Sequence, residues 1–492
     1  MLQFIVALSE GIVLMFGGLH SVWQLQNMAY SPRDYLKVSP KYYAMCLLAG
    51  VVAFAAWQLK IEATWLEFCL AIAFFLMSVT LTHTPALVYT SRVKRQLVAN
   101  LTVLTAASFF LPLWAVIIPL HILMFFGYYI MLPWEKLNNN RYLRRSGDML
   151  KSAGYLKVAV VGSYAKTTVK TFLAAILSEK FRAVATPGSV NTPLGIAALV
   201  NRGKFEDAEV AVLEFGARRK GDIAFLTNMV APDLAVITGI SPQHLRTFKT
   251  TENIILTKTE ILRALPPDKK AVINGLDKTA AAFGGIGGCR KVFCGREGDR
   301  VYARNVELSS RGASFELVFD GGAAECQTSL LGRHNVTNVC LAAAAAFELG
   351  LTPKEIQNGV KNLKPAPHRL EIIKTQNGTV IDDSYNGNSE GIAAAAEVLK
   401  LFDGKKFVVT QGIIEGGRRQ RELNVSAGRI LGGVADKAVV VGKNSGYLVE
   451  GLMLGGMEKD DILFAPNVTE AVEALSGVTK DSVILFQNDL PK

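Results

Sequence analysis

The chain has 492 residues, half of them hydrophobic, and a formal charge of +11. That length exceeds one ordinary domain and predicts two to four. The positive charge is not interleaved with an aromatic stripe, which argues against nucleic acid as a partner. Six scattered cysteines (Cys46, Cys69, Cys289, Cys294, Cys326, Cys340) lack the spacing of a disulfide framework or of a tetrahedral zinc site, so reduced thiols in a cytosolic soluble part are expected.

Residues 1–135 hold long apolar runs, at 3–24, about 42–59, about 64–82 and 98–133. A membrane-crossing helix needs roughly 20 apolar residues. The last run is long enough for two short spans turning near Pro112, so an α-helical transmembrane region of five spans is expected. Arg33, Lys37 and Lys41 crowd one loop, and Arg92, Lys94 and Arg95 another, whereas Lys60 is balanced by Glu62 and Glu67. An outside N-terminus places every basic loop in the cytosol. The first run lacks a basic start and a cleavage motif, so it does not read as a removable signal. A basic linker, 136–155, carries Lys136, Arg141, Arg144, Arg145 and Lys151 and suits an anionic inner leaflet. The expected location is the inner (plasma) membrane, multi-pass, with the remaining domains cytoplasmic.

From Tyr155 onward short β-branched runs alternate with amphipathic stretches. KVAVV (157–161), GSYAKTT (162–168) and a helical stretch beginning at Thr168 give strand, tight loop and helix, the setting of a phosphate-binding loop. Gly162, Ser163, Ala165, Lys166, Thr167 and Thr168 are therefore candidate ATP contacts. Amides at the helix start and the helix dipole favour phosphate, Lys166 supplies a cation, and the Thr167 hydroxyl suits Mg²⁺. The bland alternative is a strand-to-helix turn that contains a lysine. Ala165 stands where a glycine usually precedes the lysine; a left-handed alanine costs about 1–2 kcal/mol, which puts nucleotide affinity in question.

Further segments follow: SVNTPLGI (189–196), AVLEFGARRKGDI (211–223), ITGISPQHLRTF (237–248), LTKTEI (256–261), GRHNVTN (332–338), APHRLE (366–371) and IDDSYNGNSEG (381–391). With GSYAKTT these make eight motifs in the order found in the Mur ligases. The chain resembles that family over nearly all of 156–492, and within it the D-alanyl-D-alanine-adding branch. The resemblance implies an ATP-dependent acid–amino-acid ligase of peptidoglycan precursor synthesis, with two Mg²⁺. It gives Lys166, Glu214, His244, Lys258 and Arg369 catalytic roles. Thr167, Glu214, His244 and a carbamylated Lys258 surround metal. Asn335, Asn338, Arg369 and Asp383 join the loop as nucleotide contacts. The implied partners are a muropeptide precursor, D-alanyl-D-alanine or a related amine, and the bacterial membrane. His334 and His368 stand equally well as loop braces, and Asn274 and Asp277 as turn formers. His20, His83 and His121, in or beside apolar runs, read as packing residues.

Two departures stand out besides Ala165. GIIEGG (412–417) leaves only Glu415 with a ready counterpart. The uridine-nucleotide-binding domain of these ligases has no match, and apolar runs occupy its place, which leaves a lipid-linked muropeptide open as acceptor. The expected architecture is a membrane region (1–135), the linker (136–155), a P-loop α/β domain (156–366) with an antiparallel excursion at 289–332, and a Rossmann-like α/β domain (367–492), with ATP in the cleft between the last two. A membrane-bound poly-γ-glutamate-type synthase and a catalytically silent scaffold, the latter prompted by Ala165, are the competing readings.

Overall fold

The computed structural model describes residues 1–28, 35, 40–59, 69, 73, 87–241, 250–376, 378–385, 387–414, 417–442, 446–475 and 478–488. It divides into two compact units, Met1–Arg141 and Tyr142–Lys492.

The first unit is helical: Leu2–Asn27, Pro40–Gln58, Ser91–Phe110, the short Leu113–Ile117, and the beginning of Leu120–Ser152. The expectation of five spans, and with it the multi-pass location in the inner membrane, is corrected here. Among the described residues one helix, Gln3–Asn27, is long and apolar enough to cross a membrane, and Tyr42–Gln58 is a shorter apolar helix. The run 98–133 breaks at Pro112, but its two long helices do not qualify. Ser91–Phe110 begins with Arg92, Lys94 and Arg95 and buries Gln96 and Asn100, while Leu120–Ser152 continues past Pro133 through the charged stretch expected to be a linker. The expected span at 64–82 falls, apart from two positions, outside the described residues. The unit also exposes large apolar side chains, among them Phe4, Leu48, Trp57 and Phe110.

The second unit contains two sheets. The first has nine strands: β1 Leu156–Val161, β2 Ala183–Ala185, β3 Val210–Phe215, β4 Leu234–Ile237, β5 Lys270–Asn274, β6 Arg290–Cys294, β7 Val301–Ser309, β8 Gly312–Phe319 and β9 Gly322–Thr328, in the order β2-β3-β1-β4-β5-β6-β7-β8-β9. Strands β2 to β7 pair in parallel, and the antiparallel excursion expected over 289–332 is confined to β7 to β9, since β6 pairs in parallel with β5 and β7. Along β1 the side chains alternate between two cores. Val158 and Val160 pack with Phe172 and Leu173, and Ala159 and Val161 with Leu213 and Ile237. Burial on both faces is why these strands are apolar throughout rather than alternating.

The second sheet has the order β10-β11-β15-β12-β13-β14, from β10 Glu371–Thr375, β11 Gly378–Asp383, β12 Lys406–Thr410, β13 Lys437–Val441, β14 Ile462–Ala465 and β15 Val483–Gln487. All pairs are parallel except the edge pair β10–β11. Two strands escape sequence pattern: β2, with three residues, and the half-exposed edge strand β10.

Candidate active site

The chain leaves β1 towards β2 and β3 on one side and returns to β4 on the other, so the loop after β1 lies at a topological switch point, where parallel sheets bind ligands. The Ser163 amide donates to the Gly239 carbonyl at 2.7 Å, and Thr238 Oγ1 donates to the Tyr164 carbonyl at 2.5 Å. Gly162 allows this approach, since a Cβ there would lie 2.0 Å from Thr238 Oγ1. Ala165 caps the helix Lys166–Leu177 in the left-handed conformation, φ 58° and ψ 3°. The strain foreseen for an alanine is thus present, about 1–2 kcal/mol.

Lys166 Nζ donates to the Ser163 carbonyl at 3.1 Å. Desolvation pulls its pKa down, Glu214 opposes this, and Arg369 adds to it. Ser163 Oγ is buried with no hydrogen-bond partner among the described residues, as a phosphate-facing hydroxyl would be. Thr168 is buried in the first helical turn.

Glu214, the penultimate residue of β3, lies next to this loop, opposite Val160 of β1. Its Oε2 accepts from Thr167 Oγ1 at 2.9 Å and from Lys170 Nζ at 3.2 Å, and its Oε1 accepts from Asn191 Nδ2 at 3.0 Å. Lys170 also donates to the Gly188 carbonyl, tying the helix to the loop that carries Asn191. Sequence reasoning singled out Thr167 and Glu214 and missed Lys170 and Asn191. The available signal was a lysine inside the apolar stretch Val169–Leu177, where a charge needs a buried partner.

The Lys170 and Glu214 side chains are each 2% exposed. Removing one member of such a pair leaves an uncompensated buried charge and costs about 3–5 kcal/mol. Lys170→Met should therefore lower the thermal unfolding midpoint markedly, and Lys170→Met/Glu214→Gln should recover most of the loss. A single variant as stable as the parent would remove the ion pair from the account.

Thr167 Oγ1 and Glu214 Oε2 are adjacent oxygens of the kind a hard divalent cation accepts, so the residues fit one Mg²⁺ beside the loop. Among the described residues no three His, Cys, Asp or Glu side chains gather as a metal site. His244 and Glu415 lie outside the described residues. Lys258, the last residue of the helix Thr251–Lys258, is 5% exposed. Burial lowers its pKa to about 7; the Lys166 charge adds to this, and Asp222, Glu214 and Glu260 oppose it. An ammonium cannot bind a cation, so a second metal would fit only a modified Lys258.

Arg369, just before β10, lays its guanidinium over the Tyr385 ring at 4.5 Å, and its charge reaches Lys166 and Asp383. It thereby brings the second sheet's charge to the loop of the first. Asp383 ends β11, and Gln487 Nε2 donates to its Oδ2 at 3.0 Å. Burial raises the Asp383 pKa to about 7, against that bond and the Arg369 charge.

Other candidates are held by hydrogen bonds. His368 Nδ1 pairs with Asp382 Oδ2 at 2.7 Å. Asn335 donates to the Leu331 carbonyl at 2.9 Å and accepts from Asn338 at 3.4 Å, both at the start of the helix Arg333–Glu348, whose first turn also carries His334. Asn274 donates to the Thr238 carbonyl at 2.7 Å, and Asp277 accepts from the Tyr164 hydroxyl at 2.6 Å. Tyr164 had no role in the sequence reading.

Residues 160–346 match the Mur ligase middle domain, and residues 368–487 match the Mur ligase glutamate ligase domain. The UDP-N-acetylmuramoyl-tripeptide–D-alanyl-D-alanine ligase of Escherichia coli is 31% identical over 293 residues, 58% of this chain and 65% of that protein, so the match spans just under two thirds of the relative. The Bacillus subtilis protein of the same name is 29% identical over 69% of this chain and 74% of its own length. The crystal structure of the MurF ligase of Thermotoga maritima in complex with ADP superposes with a TM-score of 0.63 at 26% identity, covering 71% of this chain and 80% of that one. Two consecutive domain matches, the named relatives and the shared fold agree: the chain belongs to the Mur ligase family.

Proposed function

We propose that the chain is an ATP-dependent amide ligase that joins D-alanyl-D-alanine to the terminal carboxylate of a muropeptide tripeptide. The observation that carries this reading is the convergence of Lys166, Thr167, Glu214 and Lys258 at one phosphate loop, with the Arg369 charge arriving from the second sheet. A carboxylate oxygen of the acceptor attacks the γ-phosphorus, the bond to the β-phosphate oxygen breaks, and ADP leaves. The resulting acyl phosphate is attacked at its carbonyl carbon by the amine; phosphate departs, and the amine loses a proton. Such transfers are promoted by positioning and charge neutralisation rather than by protein nucleophiles. Lys166 and the loop amides hold the phosphates, and Arg369 stands ready for the transferring group. Mg²⁺, held by Thr167 and Glu214, would neutralise phosphate charge. We further propose that Lys258 carries a carbamate, which would supply the oxygens a second cation needs.

The test is ADP release together with mass-spectrometric detection of the pentapeptide product. The acceptor tripeptide is presented on a nucleotide carrier and, separately, on a lipid carrier. ADP release that depends on both tripeptide and D-alanyl-D-alanine is expected with at least one carrier. No release with either would sink the ligase reading and leave the silent scaffold, which rests on Ala165.

A further inference from the structure

The phosphate loop contains a side chain the ligase chemistry does not require. Tyr164 immediately precedes the left-handed Ala165. Its ring packs on Gly239, two residues beyond β4, where any Cβ would lie 2.2 Å from Tyr164 Cζ. Its hydroxyl donates to Asp277 Oδ2 at 2.6 Å. Asp277 is itself fixed: the same Oδ2 accepts from the Ile240 amide at 3.1 Å, and Oδ1 accepts from the Ala280 amide at 2.7 Å. The phenol thus links the middle of the loop to a rigid point beyond the end of β5.

A left-handed alanine is disfavoured by a factor on the order of ten, so an unrestrained loop would often leave this shape. A hydrogen bond to an ionised carboxylate is among the stronger ones, enough to oppose such a bias. We propose that Tyr164 is a positioning residue whose bond to Asp277 holds Ala165 in its left-handed turn and keeps the loop ready for a nucleotide phosphate. It replaces by tethering the backbone freedom that a glycine at 165 would supply. The nucleotide part of this inference rests on the ligase reading; the tether does not.

The two residues should therefore be coupled, and full-length protein tests this without ligand. In hydrogen exchange, Tyr164→Phe should speed exchange of the loop amides about tenfold. Beside Ala165→Gly the same change should speed it by no more than about threefold, because the strain is gone. The dissociation constant for ATP should follow the same pattern, since affinity scales with the population of the competent loop. Unchanged exchange in Tyr164→Phe, or the same acceleration in both backgrounds, overturns the tether. Coupled exchange in a protein that binds no ATP would uphold the tether while the ligase reading fails.

Discussion

Lys166→Ala should weaken ATP binding by about a hundredfold to a thousandfold. A cation about 4 Å from a phosphate charge contributes on the order of 4 kcal/mol at the effective dielectric typical of protein sites, and about 1.4 kcal/mol corresponds to tenfold in affinity. An ammonium has three donors. Lys166 gives one to the Ser163 carbonyl, which aims the group at the loop and leaves the others for phosphate oxygens. Loop amides would retain part of the affinity, so the loss is large rather than total. Equilibrium binding of a non-hydrolysable ATP analogue measures it. A variant within threefold of the parent would mean that the loop does not hold the phosphates. A second consequence follows from charge alone. Lys166 is, after burial, the leading cause of the low Lys258 pKa, so its removal should raise that pKa.

Glu214 is singled out only by the resemblance of its motif to the Mur ligases. Sequence pattern reached the phosphate loop because strand, loop and helix each carry a local signature, and β-branched runs buried on both faces are hard to mistake. It also reached the β7–β9 excursion, whose alternation records one buried face. It overcounted spans in residues 1–135: among the described residues only Gln3–Asn27 is long and apolar enough to cross a membrane, because hydropathy alone does not separate a packed apolar helix from a spanning one. Asn100 and His121, buried within the run read as two spans, are polar positions that a window average conceals. Lys170 escaped for a related reason. A helical lysine is taken as solvated by default, and only the sheet order that sets β3 beside β1 supplies its carboxylate partner. Tyr164 and Asp277, 113 positions apart, meet only once β1, β4 and β5 are adjacent.

Lys258 should carry a carbamate, and its loss should lower ligase turnover by at least about a hundredfold, the scale seen when one charge-stabilising group is removed from an active site. Carbamate forms when a neutral amine attacks the carbon of CO₂; a C–N bond forms and one proton leaves. An ordinary lysine is neutral in roughly one molecule in three thousand at neutral pH. Lys258, with its pKa lowered to about 7, is neutral in about half. The sign is fixed by the depressed pKa: at constant CO₂ pressure, carbamate should rise as pH increases through about 7 and fall below it, where the ammonium persists. Carbon-13 CO₂ should give a carbamate resonance with this pH dependence. Lys258→Arg, a permanent cation that cannot react, should lose both the resonance and the turnover. In Lys166→Ala the carbamate should need a higher pH to form, because the neighbouring cation no longer favours the neutral amine. A resonance that survives in Lys258→Arg, or turnover indifferent to CO₂ and to pH in this range, would leave Lys258 as a buried lysine beside the loop and remove the second cation from the mechanism.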